Sequence, residues 1–394
     1  MINWIFNNIA KCFAILSVAI LSSGHAQNLP FSTTGKPIDL SLRREVARTI
    51  DRGSQWLMDH QDVSGFWSNS DHPALTGFSL MALQRDPEEH HTATKGPILQ
   101  RGYRYLKSCV QEDGGIYRLD TRRRFDTSVS MLALLMRDSE IHEKAIRNAR
   151  SFLLSGSLGS GIQDDVATKP VEEKNALLVS THANILDTMQ VLESLRHTQH
   201  VIGTADTMEK EFDRESALIF IEQCQFTATK ESQDQTSDTE GFFGGFAESP
   251  IAYQYGLHSK LRDESIVRPG GSFSFAGLLS YLYADVELSD TRVLAVSEWV
   301  GKNFTLSENP GLEQKEVFLY YLLMAKAWTV MNVHDATSVG GAHLEWRHAL
   351  ALRLLNLQQP NGSWMNETPE GMEQDPVLTT SYALITLEMI YSGL

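Results

Sequence analysis

At 394 residues, 42% hydrophobic and 21% charged, the chain has a globular composition with apolar area for a large core, which excludes disorder and a collagen-like fold. Its 34 Lys and Arg stand against 49 Asp and Glu, a net charge of -15, and this excess of acid argues against nucleic acid as a partner.

Met1 to Lys11 carries the chain's amine and one Lys, Cys12 to Leu21 is mostly apolar, and Gly24-His25-Ala26 places small residues three and one before a cut. The pattern predicts a secretory signal peptide over residues 1–26 and an exported mature domain over 27–394, periplasmic or extracellular. A membrane anchor and a buried helix are the competing readings, but the apolar run is short for a span. No later run approaches the length of a membrane span, so no integral membrane span is expected in the mature chain. Cys109 and Cys224 would remain, too few for a disulfide scaffold and without the spacing of a zinc site, so no metal or other cofactor is expected.

The first helix is predicted over about residues 40 to 60, where Leu42, Val46, Ile50, Gly53 and Leu57 share one face. A more apolar helix, Thr76 to Leu83, follows it. The alternation then repeats in chain order: 97 to 111 with Thr127–Leu135, 141 to 154 with His182–Leu195, and 209 to 225 with Ser274–Ala284. The last pairs are 290 to 303 with Val317–Trp328 and 345 to 358 with Thr380–Tyr391. Strands are scarcely predicted, and the polar stretches 160 to 175 and 227 to 240 read as loop insertions.

The turns between partners resemble one another. Arg52-Gly53, Trp56-Leu57, Gln61, Gly65 and Trp67 recur as Arg101-Gly102, Tyr105-Leu106, Gln111, Gly115 and Tyr117, with the Arg-Gly pairs 49 residues apart. The last copy has Leu354-Leu355, Gln358 and Pro360-Asn361-Gly362-Ser363-Trp364, and a diverged one has Cys224-Gln225 and Gly244-Gly245-Phe246. This pattern resembles the QW repeat of squalene and oxidosqualene cyclases, shared more loosely with protein prenyltransferase β subunits. The resemblance implies an all-α fold, an α/α toroid of about six helix-pair repeats, in which Gln61, Trp67, Gln111, Tyr117, Gln358 and Trp364 are structural. The C-terminal part is closer to a secreted bacterial subgroup of squalene-cyclase-like proteins without an established reaction, through Gly271–Leu278, Glu308–Gly311, Met324–Ala327 and Asp375–Leu378.

The cyclases take their proton donor from an Asp-x-Asp-Asp-Thr motif opening an inner helix. The stretch Arg123-Arg124-Phe125-Asp126-Thr127 matches its last Asp, but Phe125 stands where the donor should be. Asp126 is therefore either a remnant of that acid site or a helix cap. Neither Cys has the Asp two residues upstream that the prenyltransferase zinc site needs. Asp71, His72, His182, Glu316 and Asp375 also lie near the starts of inner helices and would converge on one mouth of the ring. Asp126, His182 and Asp375 are the catalytic candidates, each with a cap or a satisfied core group as its plainer alternative.

Phe78, Phe273, Phe275, Tyr281 and Tyr320 are expected to line a central cavity that binds an apolar or isoprenoid-like ligand, as a terpenoid-cyclase-like protein of unproven catalysis. The alternative is a non-enzymatic scaffold that binds protein or cell-envelope polysaccharide. A polysaccharide-cleaving enzyme on a similar ring would require a Tyr, His or Arg cluster at the mouth.

Overall fold

The computed structural model describes residues 39–85, 92–155, 184–201, 213–227, 240–250, 268–368 and 372–394. The expected signal peptide, residues 1–26, and His182 lie outside them. Twelve α-helices alternate in two layers among the described residues. The outer ones are α1 (Leu40–Asp59), α3 (Thr92–Ser108), α5 (Glu143–Ser155), α7 (Arg214–Cys224), α9 (Thr291–Lys302) and α11 (Trp346–Leu357). The inner ones are α2 (Pro73–Gln84), α4 (Arg123–Arg137), α6 (Ile185–Thr198), α8 (Gly271–Tyr283), α10 (Val317–Val330) and α12 (Pro376–Tyr391).

Each inner helix packs on the next, and α12 returns to α2, which closes the ring. The layers differ as their sequences require. Every residue of α8 is buried, whereas α1 buries a stripe that includes Leu42, Val46, Ile50 and Leu57. Proline opens both α2 and α12, where its missing N–H costs nothing. A small antiparallel hairpin that the sequence did not suggest, β1 (Asp335–Thr337) and β2 (His343–Glu345), lies between α10 and α11 with Ala336 opposite Leu344.

The turns explain the repeat. The Gln61 side-chain amide donates to its own turn at Gly65 O (3.0 Å) and to Ile98 O of the next outer helix (3.0 Å). Gln225 does the same to Gly244 O (3.2 Å) and Arg292 O (3.0 Å), and Gln358 to Gly362 O and Thr49 O (both 2.9 Å). Each turn glycine has a positive φ and presses on the next outer helix: a Cβ on Gly65 would stand 2.5 Å from Arg101 O, and one on Gly244 2.2 Å from Ala295 O. Trp67 and Trp364 donate their indole N–H groups to Leu57 O (2.8 Å) and Leu354 O (2.9 Å). Their rings lie over Gly102 and Gly53, whose added Cβ atoms would meet them at 2.9 and 2.7 Å. The Arg-Gly pairs therefore serve the neighbouring repeat, Arg101-Gly102 the first and Arg52-Gly53 the last: glycine makes room for its Trp, and Arg101 donates to the Gln61 side-chain Oε1 (3.1 Å).

The second copy corrects the expected register by one residue. Val110 and Ile116 bridge as Gln61 and Trp67 do, and Gly114 carries the positive φ. Trp67 N donates to Thr76 Oγ1 and Ile116 N to Thr127 Oγ1, which fixes the same equivalence. Gln111 and Tyr117 fall one position later. Gln111 stays within its own turn, donating to Tyr117 O at 2.7 Å, and Tyr117 donates its hydroxyl to Asp113.

Candidate functional site at the mouth of the inner ring

The inner helices begin at one end, because their first turns cap one another. Asp126, in the first turn of α4, does not cap its own helix; its Oδ1 accepts from Ala74 N of α2 at 3.2 Å. Asn309, ahead of α10, accepts from Ser272 N of α8 at 2.9 Å, and Glu373, ahead of α12, accepts from Leu319 N of α10 at 2.7 Å. Three inner helices thus receive a side-chain cap from a later segment, and the converging positive helix ends favour acidic groups. Asp375 accepts from Val377 N of its own helix (2.9 Å) and from the Ser68 hydroxyl.

These caps gather carboxyl groups around Arg122, which immediately precedes α4. The Arg122 guanidinium lies 4.4 Å from the Phe125 ring centroid, 3.0 Å from Met372 Sδ and 3.9 Å from Asp187 Oδ1 of α6. Glu248 is held at the start of α6, where its carbonyl accepts from Ile185 N at 2.9 Å. Asp126 is fully buried and its Oδ2 stands 4.0 Å from Nδ1 of the half-buried His72. Burial pushes the Asp126 carboxyl up to about 7, although the Ala74 N–H favours its anion. Glu316 is also pushed up to about 7, by burial first and then by the charges of Glu373 and Glu248. Burial raises Asp187, Glu248 and Glu373 as well. It lowers His72, with help from Arg122, and so keeps that imidazole neutral.

Among the expected cavity aromatics, Phe78 faces the inner ring, with its centroid 5.0 Å from Tyr382 and 6.2 Å from Phe125. Phe273 lies against Gly270 at the mouth. The other three point between the layers, which corrects the cavity expectation for them. Phe275 packs on Tyr320 and Trp328, Tyr320 donates to Thr305 O (2.9 Å), and Tyr281 donates to Gln225 Oε1 (2.8 Å) beside Phe246. An inner helix that is apolar all round gives no sequence signal for which of its aromatics faces the axis.

The other end of the inner ring is ionic. Lys326 of α10 donates to both oxygens of the buried Glu193 of α6, at 2.7 and 2.8 Å, and the Tyr283 hydroxyl donates to the same carboxylate at 3.2 Å. Arg85, at the end of α2, interacts with Glu193 and with Glu388 of α12. Arg122, Asp187, Glu248 and Glu373 were missed as site residues. For Arg122, Asp187 and Glu373 the one sequence signal is a place just before, or in the first turn of, an inner helix; Glu248, well ahead of α8 in the chain, carries no such signal. Among the described residues, no group of His, Cys, Asp or Glu is arranged to hold a metal ion, and no helix is long and apolar enough to cross a membrane.

No family model and no curated protein matches the chain. Among solved structures, a glycosidase variant aligns with 91% of this chain and 100% of its own at 11% identity and a TM-score of 0.51. A variant of the type II terpene cyclase MstE from Scytonema, in complex with geranylgeranyl dihydroxybenzoate, aligns with 90% of this chain and 99% of its own at 13% identity and a TM-score of 0.50. At such identities the likeness shows the α/α toroid fold and nothing of its chemistry.

Proposed function

We propose that this protein is an exported acid–base enzyme that hydrolyses a neutral glycan at the mouth where its inner helices begin. The observation that carries the reading is the company Arg122 keeps there: the buried Asp126, whose Oδ2 stands 4.0 Å from His72 Nδ1, and Glu316, with burial pushing both carboxyls up to about 7. A carboxyl titrating near 7 is suited to protonating an oxygen leaving group at neutral pH, whereas an alkene requires a far stronger acid. Carboxyls outnumber the Arg122 and Arg124 guanidinium groups at the mouth, which disfavours a polyanionic sugar and favours one recognised through hydroxyl groups. In the reaction a water adds to the anomeric carbon and gives a proton to the neutral His72 imidazole, with the Asp126 carboxyl behind it. The glycosidic C–O bond breaks, and the departing oxygen takes a proton from a mouth carboxyl. The N-terminal apolar run supports export of residues 27–394 after cleavage at Ala26, toward the cell-envelope polysaccharide that the sequence reading raised as a partner.

A second reading, an apolar or isoprenoid ligand held without cyclisation, is favoured by the Phe78, Phe125 and Tyr382 rings. One experiment separates the two. Purified protein is incubated with neutral oligosaccharides, and separately with squalene and shorter polyprenyl compounds, while new reducing ends and retained ligand are measured. New reducing ends are expected. Glycan retained without cleavage would favour the scaffold, and retention of polyprenyl compounds alone would favour the second reading.

A further inference from the structure

Glu316 stands at the N-cap of α10 but does not cap it. Its backbone is left-handed, with φ 53°, a conformation that a residue bearing a Cβ adopts at a cost, and its side chain makes no bond to its own helix. Glu373 takes over the cap, accepting from Leu319 N at 2.7 Å through Oε1 and from Asn366 Nδ2 at 2.8 Å through Oε2. Relieved of that task, the Glu316 carboxyl turns to the start of α8, where its Oε2 accepts the Ser272 hydroxyl at 3.3 Å. That hydroxyl is itself oriented. Asn309 Nδ2 donates to Ser272 Oγ at 3.1 Å, so the Ser272 proton is directed toward Glu316. One carboxyl oxygen is thereby committed as an acceptor and the other is left to carry a proton.

We propose that Glu316 is the catalytic acid of the mouth, with Glu373 and Ser272 as its positioning residues; the assignment rests on the glycoside reading above. As the C–O bond breaks, its electrons pass to the glycosidic oxygen, which takes the Glu316 proton and leaves as an alcohol. Water supplies the hydroxyl of the new reducing end and gives its own proton to His72, from which the proton returns to Glu316 through solvent. The groups facing Glu316 are Glu373 from the segment before α12, Glu248 from the segment after α7, whose carbonyl accepts from Ile185 N of α6, and Arg122, which precedes α4. Burial, and after it the charges of Glu373 and Glu248, pushes its carboxyl up to about 7, and the Ser272 hydroxyl opposes them.

The test compares an unactivated oligosaccharide with an aryl glycoside whose phenol leaves without help. Glu316→Gln is expected to lower kcat/KM on the oligosaccharide by about 10²- to 10⁴-fold and to affect the aryl glycoside far less. Ser272→Ala, the second variant should the first not fold, is expected to move the basic limb of the pH profile upward, because it removes a bond that favours the carboxylate. Equal loss on both substrates, or an unmoved basic limb, overturns the assignment while leaving the glycoside reading in place. A wild-type protein inert on both substrates overturns the glycoside reading and the assignment together.

Discussion

Gln358 of the last helix pair donates its side-chain amide to Thr49 O of the first at 2.9 Å, and its carbonyl oxygen accepts from Arg52. The same side-chain hydrogen bond joins Gln61 to Ile98 O and Gln225 to Arg292 O between successive outer helices. At Gln358 it joins the last helix pair to the first, so a bond that elsewhere links neighbours in sequence here closes the ring.

Gln358→Ala should therefore lower stability by about 1–3 kcal/mol, the cost of leaving buried carbonyls without a donor. Gln111→Ala should cost less, because Gln111 reaches no neighbouring helix and bonds only within its own turn. Thermal denaturation of both variants checks this ordering, and a larger loss at Gln111 would contradict it.

Gly244 offers a sharper probe of the turn. With φ at 91° and an added Cβ only 2.2 Å from Ala295 O, Gly244→Ala requires both a strained backbone and displacement of a rigid neighbour. Its cost should exceed about 1–2 kcal/mol, the penalty of the left-handed backbone alone. Gly241, three residues earlier, has open space about it, and Gly241→Ala should stay within about 0.5 kcal/mol of wild type in urea denaturation.

Much of the ring was legible because its two helix types follow different rules. The continuous burial of α8 and α12 and the striped burial of α1 are both written as hydrophobic spacing, and the inner helices fall close to their expected places. The second turn was misread because Gln111 and Tyr117 have the right residue types one position past the structural site, which Val110 and Ile116 occupy without any chemical resemblance. The site was less legible still. Asp126 and Asp375 are visible beside helix starts, but that Asp126 caps α2, and that Glu373 frees Glu316 from capping α10, are relations between distant segments. No local pattern encodes them.

Cys109 and Cys224 are free and fully buried, and burial pushes the Cys224 thiol well above its usual range. A thiol reagent should label both slowly in the folded protein and fully in denaturant without any reductant. Peptide mapping of the labelled protein gives the readout, and a disulfide between the two would break the repeat assignment.

Asp126 makes stability depend on pH in a direction opposite to that of an ion-paired carboxylate. Its carboxyl titrates near 3.8 in the unfolded chain and at about 7 in the folded one, so between these values the folded state holds a proton that the unfolded state has lost. Stability from this group therefore falls as pH rises from about 4 to about 7, and the full penalty remains above that. His142 and His197 act the other way: burial lowers both to about 4, so their contribution rises with pH up to the ordinary histidine range. The wild-type profile mixes these effects, and its difference from Asp126→Asn isolates the carboxyl. Asparagine keeps an acceptor for Ala74 N but never ionises, so the variant should gain melting temperature relative to wild type between pH 5 and pH 8. A constant offset across that range would mean that Asp126 is already charged at pH 5, which would remove the proton held at its side of the mouth.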